Sequence, residues 1–335
     1  MIQIDALRGF AILLVVMGHA IAWSYSDWHE VCLFNQAQQV NYMAGGCVWQ
    51  IIYSFHMALF FMVSGLLTGN QTITLQNVLS IIKKKILRLL IPYLATGYLI
   101  FFVRGNWGYW FLLTLFELSL LWIVMSWILD IINKNRQLWT DLIFMGVVYL
   151  CLRAIPYLLP QTSVVVDSNI LKYFIPFSVG TLIGRHKIVK NLVLNSKTYT
   201  FCLLAFVVLF SSRYIIDFPQ LYQVVSKLDF FLSVSSVLAC ISIFHIFMNG
   251  INKKVESFLA CLGILSMPIY ILHNLFMIQI PTVGSFTLEQ NPVTSITFQL
   301  VYSCLISSVS IILCIIAYHI LRRSKLIRLL MFGEK

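Results

Sequence analysis

The chain has few charged residues, and acidic residues are the scarcest. Only 10 % of its 335 residues are charged, and Asp and Glu together number 12. A soluble globular domain carries about 25 % charged residues, so this composition excludes an ordinary soluble enzyme and leaves no sizeable soluble domain. Apolar residues fill the chain instead: 60 % are hydrophobic, and the mean hydropathy is +0.88. The sequence predicts one membrane-embedded domain over residues 1–335.

Several chemical signatures are also missing. The eight cysteines include no C-x-x-C pair, so we expect no metal and no redox centre; Cys32 and Cys47 fall in one predicted external segment and could form a disulfide. The sequence contains no G-x-S-x-G, no Walker loop and no H-E-x-x-H, so the usual motifs of serine hydrolases, P-loop nucleoside triphosphatases and zinc proteases are missing. The first apolar run lacks a basic n-region and a cleavage site, so we interpret it as a retained span.

Apolar segments of membrane length predict an all-α polytopic membrane protein with about ten transmembrane helices. They lie at about 5–24, 46–67, 86–103, 108–129, 138–153, 169–184, 192–211, 228–248, 258–280 and 294–321.

The distribution of basic residues predicts that both termini are cytoplasmic. With that orientation, all but five of the 23 Lys and Arg residues fall on the cytoplasmic side, as the positive-inside rule requires. The net charge of +11 is thereby explained by membrane flanks, and no nucleic-acid partner is expected. The five basic residues on the outer side are Arg104, Arg153, Lys172, Arg213 and Lys227.

Four ionisable side chains fall well inside predicted spans, away from the span ends: His19, His56, Glu117 and His273. The first helix carries Arg8 near one membrane face and His19 eleven residues later, about 16 Å deeper at 1.5 Å per residue. Buried ionisable groups are costly in a membrane and indicate function by default. A single histidine could be a packing residue bonded to a neighbouring helix, but four such groups at similar depth favour a shared polar cavity.

The residue types in that set suit acyl transfer. A neutral imidazole can take a proton from an acceptor hydroxyl, and a carboxylate such as Glu117 could orient the imidazole or stabilise its charged form. Ser64 and Ser266 are possible nucleophiles. A serine next to glycine in a membrane helix, as at Ser64, usually serves close packing, so direct attack by the acceptor is favoured over a covalent intermediate.

A basic run, Lys83 to Arg88, lies where the third predicted helix leaves the cytoplasm. It is consistent with an ordinary positive-inside flank or with a patch for anionic lipid headgroups. The run by itself favours that interpretation; a phosphate site is the functional alternative, because Lys85 and Arg88 share a helix face at i, i+3 and Arg8 lies at the same membrane face.

Two further segments are suggestive. The aromatic segment Trp107-Gly108-Tyr109-Trp110-Phe111-Leu112 begins the fourth predicted helix at the outer interface, where such residues form a belt, and it could also stack on a sugar ring. The segment from Gly180 to Gly184 has small-x-x-x-small spacing, which favours close helix packing, and Arg185 after it is interpreted as a cytoplasmic flank.

The motifs together resemble those of the acyltransferase-3 family of bacterial membrane O-acyltransferases. The resemblance is greatest to the stand-alone group that includes fucose 4-O-acetylase-like and enterobacterial-common-antigen O-acetyltransferase-like proteins. Each motif is weak by itself, and their order and spacing along the chain make the match specific. The segments that carry it are Asp5–Gly9 with His19, Phe55–Gly65, Lys85–Tyr93, Trp110–Leu112 and Ser266–His273.

The resemblance implies a donor, an acceptor and a location. The donor would be acetyl-CoA, or another short acyl-CoA such as succinyl-CoA, bound from the cytoplasm. The acceptor would be a hydroxyl of a cell-surface or lipid-linked glycan, and the location the bacterial inner membrane. Arg8, His19, Lys85 and Arg88 match positions linked to donor binding or transfer, and Glu117 matches more loosely. Lys85 replaces an arginine, which keeps the charge and loses the planar fork. A proton-coupled transporter is the alternative, since buried His and Glu also suit proton relays.

Overall fold

The computed structural model describes residues 2–22, 39–71, 73–74, 76–104, 109–133, 137–158, 168–214, 229–278, 280 and 292–334; of residues 39–47, and of some others mostly near helix ends, it describes the backbone alone. All regular secondary structure in these ranges is helical, as the composition predicts. Cys32, the Cys47 side chain, Trp107 and Gly108 lie outside the described residues, so the disulfide stays a prediction.

The described part of the chain contains fourteen α-helices and one π-helix. In chain order they are α1 (Ile2–Ala22), α2 (Gln39–Gly69), α3 (Val78–Lys85), a π-helix (Ile86–Leu90), α4 (Ile91–Arg104), α5 (Trp110–Ile132), α6 (Leu138–Leu158), α7 (Ser168–Arg185), α8 (Lys187–Val193), α9 (Ser196–Tyr214), α10 (Asp229–Asn249), α11 (Lys253–Ile264), α12 (Ser266–Phe276), α13 (Pro292–Leu321) and α14 (Lys325–Phe332).

Each of the ten predicted spans coincides with a helix or a bent pair of helices in this order. Within the described ranges, six spans are long and apolar enough to cross a membrane, and two bent pairs raise that number to eight. The bends measure 65° between α8 and α9 and 74° between α11 and α12. A multi-pass membrane protein is confirmed, while the full count of ten and the cytoplasmic termini stay predictions.

Helix α1 is central, and it packs against α2, α11, α12 and α13. Its contact with α11 depends on two glycines: a β-carbon at Gly9 would overlap the Leu259 carbonyl, and one at Gly263 would overlap the Asp5 carbonyl. Small residues let membrane helices approach this closely. The close approach brings the start of α12, directly after the bend, beside the first turns of α1.

Helices α2 and α7 form another close pair. A β-carbon at Gly180 would overlap the Met62 carbonyl, and one at Gly65 would overlap the Phe177 carbonyl. Gly184 likewise lies against the Leu66 carbonyl. The small-x-x-x-small spacing on α7 therefore serves helix packing, as its sequence indicates.

The basic run lies on α3 and on the π-helix that follows it. In the π-helix the Ile91 N–H donates to the Ile86 carbonyl, five residues earlier. Pro92 comes next and has no N–H to give to the Arg88 carbonyl four residues before it. Wide turns of this kind are rare and occur frequently at functional sites, and this one carries Arg88.

Candidate functional site

A cavity of about 600 Å³ opens beside the basic helix α3. This volume is in the range that holds a small-molecule ligand or cofactor. Its wall is polar along one side, where α2 ends and α3 begins, and the polar lining residues are Ser64, Thr68, Asn70, Gln71, Asn77, Ser80, Lys84, Lys85 and Arg88.

A narrower chamber of about 190 Å³ continues inward. It shares Ser64, Arg88, Leu89 and Leu115 with the larger cavity, so the two compartments adjoin at Arg88, and together they are called the path. The rest of the wall is mostly apolar and comes from α1, α2, α5 and α12; the residues are Arg8, Met57, Phe60, Phe111, Leu112, Ser266, Met267 and Tyr270.

The basic residues of this path are divided between its two compartments. Lys85 lines the outer cavity, Arg8 lines the inner chamber, and Arg88 lines both. The sequence suggested one phosphate site at a single membrane face, whereas the structure sets these side chains in succession along the path. In the described part of the chain, no carboxylate lies within 4 Å of Lys85 or Arg88. Such cations in a cavity favour an anionic ligand.

Arg8 is held by two partners. Its Nη1 lies 3.4 Å from the Asp5 carboxylate, one turn earlier on α1, and its Nη2 donates to the Ser266 hydroxyl at 3.0 Å. Ser266 is the first residue of α12, so the bend between α11 and α12 delivers this hydroxyl to Arg8. Ser266, which the sequence made a possible nucleophile, therefore orients a cation in this structure.

His19 and His273 form a hydrogen-bonded pair, although 254 residues separate them in sequence. His19 Nδ1 lies 2.7 Å from His273 Nε2, and the ring centroids are 4.9 Å apart. His273 is 1 % exposed, whereas His19 is partly accessible. Tyr270, a lining residue of the inner chamber, lies one turn before His273 with its ring centroid 5.8 Å away.

The partners of the pair determine its tautomers when both rings are neutral. His273 Nδ1 lies 2.6 Å from the Tyr270 carbonyl, which can only accept, so this nitrogen carries the proton. His273 Nε2 is then an acceptor, and His19 Nδ1 donates to it. His19 Nε2 consequently holds the lone pair, which is the form that a general base requires.

His56 lies near this pair with a different partner. Its Nδ1 donates to the Ile52 carbonyl of its own helix at 2.7 Å. Tyr53 is close to both His56 and His19. Its ring centroid lies 4.7 Å from that of His56 and 6.3 Å from that of His19. The bond to its own helix suits a packing role for His56, and a catalytic role stays a prediction.

Glu117 lies on α5, which packs against α3, the π-helix, α4 and α7. Its Oε2 atom is buried. Neither compartment of the path is lined by Glu117 or by His56. The structure therefore brings His19 and His273 together, and it sets Glu117 on a helix that contacts the basic segment; its part in transfer stays a prediction.

The aromatic segment at the start of α5 has a clear packing role. Tyr109 is 1 % exposed and donates to the Ile271 carbonyl. Trp110 stacks on Tyr173 with centroids 5.4 Å apart. These contacts tie α5 to α7 and α12, which explains the segment without a sugar.

The sequence analysis missed the uncharged polar wall of the larger cavity. Ser64, Thr68 and Gln71 follow one another at i, i+4 and i+7 on α2 and just past its end, which is one face of a helix. That spacing could have been read from the sequence. The contribution of α12 could not, because it depends on the bend after α11.

A second buried ionic cluster lies at the ends of α5, α6 and α7. Asp141 is fully buried, and its carboxylate lies 2.7 Å from His186 Nε2 and 2.6 Å from Asn133 Nδ2. Arg185 Nε is 2.9 Å from the same carboxylate, outside hydrogen-bond geometry, and its Nη2 donates to Asp130 at 2.8 Å. Arg185 is therefore more than a cytoplasmic flank: it is 6 % exposed and joins three helices.

The fold and this path define a multi-pass membrane protein with a cationic cavity and, on the same helices α1 and α12, a hydrogen-bonded histidine pair. Comparison with protein families identifies the class. Residues 1–319 match the acyltransferase domain of the acyltransferase-3 family, and the chain belongs to that family. It is a membrane-bound acyltransferase. Neither the curated proteins nor the solved structures yield a significant match.

Proposed function

We propose that the protein transfers an acetyl group, or another short acyl group, from acyl-CoA to a hydroxyl of a cell-surface or lipid-linked glycan in the bacterial inner membrane. The two-compartment path carries the proposal. Its outer cavity is wide and polar with Lys85 and Arg88, and its inner chamber is narrow and mostly apolar. Coenzyme A has the same division, with a phosphorylated nucleotide at one end and a thin pantetheine arm at the other.

The direction of the arm follows from two contacts between α1 and α12. Arg8 meets Ser266 at the inner chamber, and His19 meets His273 further along the same two helices. A thioester that extends from Arg8 along the line where α1 meets α12 passes Tyr270 and approaches the histidine pair. The cations bind the phosphates, and the apolar wall excludes water from the thioester.

The transfer step uses the lone pair on His19 Nε2. The acceptor hydroxyl gives its proton to this nitrogen while its oxygen attacks the thioester carbonyl carbon. The C–S bond then breaks, and the departing sulfur takes the proton from the imidazolium. His273 holds the His19 ring through its Nε2, so that the ring nitrogen opposite the bond serves as the base.

The acceptor would approach from the side of His19 that is partly accessible. Trp49 and Tyr53 of α2 are stacked with ring centroids 4.2 Å apart, and the Tyr53 ring centroid lies 6.3 Å from that of His19. Aromatic rings with one apolar face and one polar end suit an interface where a sugar meets the membrane. These contacts favour a glycan over a small polar acceptor.

Acyl transfer from a supplied donor tests the proposal. Membranes that contain the protein are given labelled acetyl-CoA or succinyl-CoA, and the surface glycan is analysed by mass spectrometry. We expect one added acyl group per modified sugar, and the donor that labels the glycan identifies the acyl group. His19→Ala should lower the transfer rate by about 10²–10⁴-fold, the usual contribution of a general base, with normal accumulation in the membrane.

His245→Asn is the matched control. His245 is also a buried histidine of a membrane helix, and it pairs with Asn249 at 2.8 Å, outside the path. Its replacement should leave transfer unchanged. Normal acylation by His19→Ala would remove His19 from the mechanism, and vesicles that move a glycan without acyl-CoA would favour the transporter instead.

A further inference from the structure

The last described residues, 325–334, lie beyond the part of the chain that matches the acyltransferase domain. They form α14 and a turn after it. Ser324 caps the helix by accepting from the Ile327 N–H, and Gly333 ends it in a left-handed conformation with φ of 63°. Helix α14 packs against α4 and α12. Helix α4 directly follows the π-helix, and α12 lines the inner chamber.

Gly333 touches the backbone of the π-helix. A β-carbon at this position would overlap the Leu87 carbonyl and lie 2.7 Å from the Arg88 α-carbon. Glycine is therefore required twice, by the left-handed φ and by the contact. Any side chain at position 333 would press on the backbone of Arg88, whose side chain lines both compartments.

The turn is anchored on both sides of Gly333. Phe332 is 2 % exposed and lies edge-on to Tyr318, with ring centroids 4.9 Å apart. The Glu334 carboxylate accepts from the Tyr318 hydroxyl at 2.8 Å. These contacts hold the turn to α13, so the π-helix is in contact with a fixed surface.

We propose that residues 325–334 brace the π-helix and thereby position Arg88 in the donor path, with Gly333 as the positioning residue. The inference rests on the proposed function, since it assigns Arg88 to a phosphate of acyl-CoA. A π-helix is rare and seldom longer than one turn, and Pro92 removes a backbone hydrogen bond from the next turn. External contact is what keeps such a segment in one conformation.

The test compares Gly333→Val and the milder Gly333→Ala with a matched control, Gly250→Val. Gly250 also has a positive φ, 101°, but no atom lies within 4 Å of its β-carbon position. The control therefore introduces backbone strain without the contact. Two quantities are measured on the purified full-length proteins: amide hydrogen exchange of residues 86–91, and the Kd for coenzyme A.

We expect faster exchange in the π-helix and weaker coenzyme A binding in Gly333→Val, by about tenfold, as for one charge-assisted hydrogen bond. Gly333→Ala should show a smaller change in the same direction, and Gly250→Val should show neither. In the acyl-transfer assay KM for acyl-CoA should rise while kcat is retained, the pattern of lost uniform binding.

Unchanged exchange in both Gly333 variants would overturn the brace. Faster exchange with unchanged coenzyme A affinity would overturn its link to the donor and leave α14 as a surface helix. If the unaltered protein binds no coenzyme A, the proposed donor is wrong, while the exchange data still decide whether the C-terminal turn holds the π-helix.

Discussion

The two-compartment path and the Asp141 cluster each contain an arginine, and they differ in how the arginine's charge is balanced. Arg185 pairs with Asp130 and lies beside Asp141, so its charge is met within the protein. Arg88 is exposed in a cavity and has no carboxylate within 4 Å in the described ranges. The two arginines carry the same charge, so the presence or absence of a carboxylate partner is what separates a structural arginine from one available to a ligand.

Arg8 is intermediate between the two. It has one carboxylate partner at 3.4 Å, with side chains 32 % and 29 % exposed, and it also lines the inner chamber. A partly exposed pair at this long distance contributes little to stability. Arg8 can therefore still bind an anion in the chamber, whereas the charge of Arg185 is already met by carboxylates.

The largest effect on stability is expected at Asp141. Asp141→Ala leaves Arg185 and His186 buried without their shared carboxylate, and breaking a buried pair in this way costs about 3–5 kcal/mol. Unfolding in detergent should report this loss, while KM for acyl-CoA of the folded fraction stays unchanged.

Asp130→Ala is the control for that loss. Asp130 is 41 % exposed and pairs with the same arginine, so its removal should cost about 1 kcal/mol or less. Equal losses in the two variants would show that burial does not distinguish the two carboxylates.

An intermediate effect is expected on donor binding. Lys85→Ala and Arg88→Ala should each raise KM for acyl-CoA by about 10–100-fold, because each removes a charged hydrogen bond of about 1.5–3 kcal/mol. Stability should change little, the reverse of Asp141→Ala.

Lys83→Ala is the matched control in the same basic run. Lys83 is exposed and lines neither compartment, so its replacement should leave KM unchanged. A rise in KM for Lys83→Ala equal to that for Lys85→Ala would mean that the run acts as a diffuse surface charge.

The smallest effect is expected at Ser266. Ser266→Ala removes the bond to Arg8, and KM should rise about threefold, as for one modest hydrogen bond. Ser242→Ala, whose hydroxyl bonds the Leu238 carbonyl of its own helix, should have no effect. Complete loss of transfer in Ser266→Ala, with the protein intact, would instead make Ser266 a nucleophile.

Sequence reasoning was most successful where the membrane imposes the constraint. Long apolar runs predict helices because a backbone in lipid must satisfy its own hydrogen bonds, and the helices occur where these runs lie. The spacing of Gly180 and Gly184 on α7 predicted a close helix contact, because small residues let membrane helices approach each other. The pairing of His19 with His273 was not predictable, since it joins helices 254 residues apart.

The sequence by itself determined the class of fold, the family and the residues that can carry charge in the membrane, because hydrophobicity, motif order and residue type are properties of the chain. Tertiary structure decided which of those residues meet. It set Arg88 in an open path and Arg185 against carboxylates, and it turned Ser266 towards Arg8. Those outcomes depend on the α11–α12 bend, the π-helix and the glycine contacts between α1 and α11, and the sequence pattern predicted none of these.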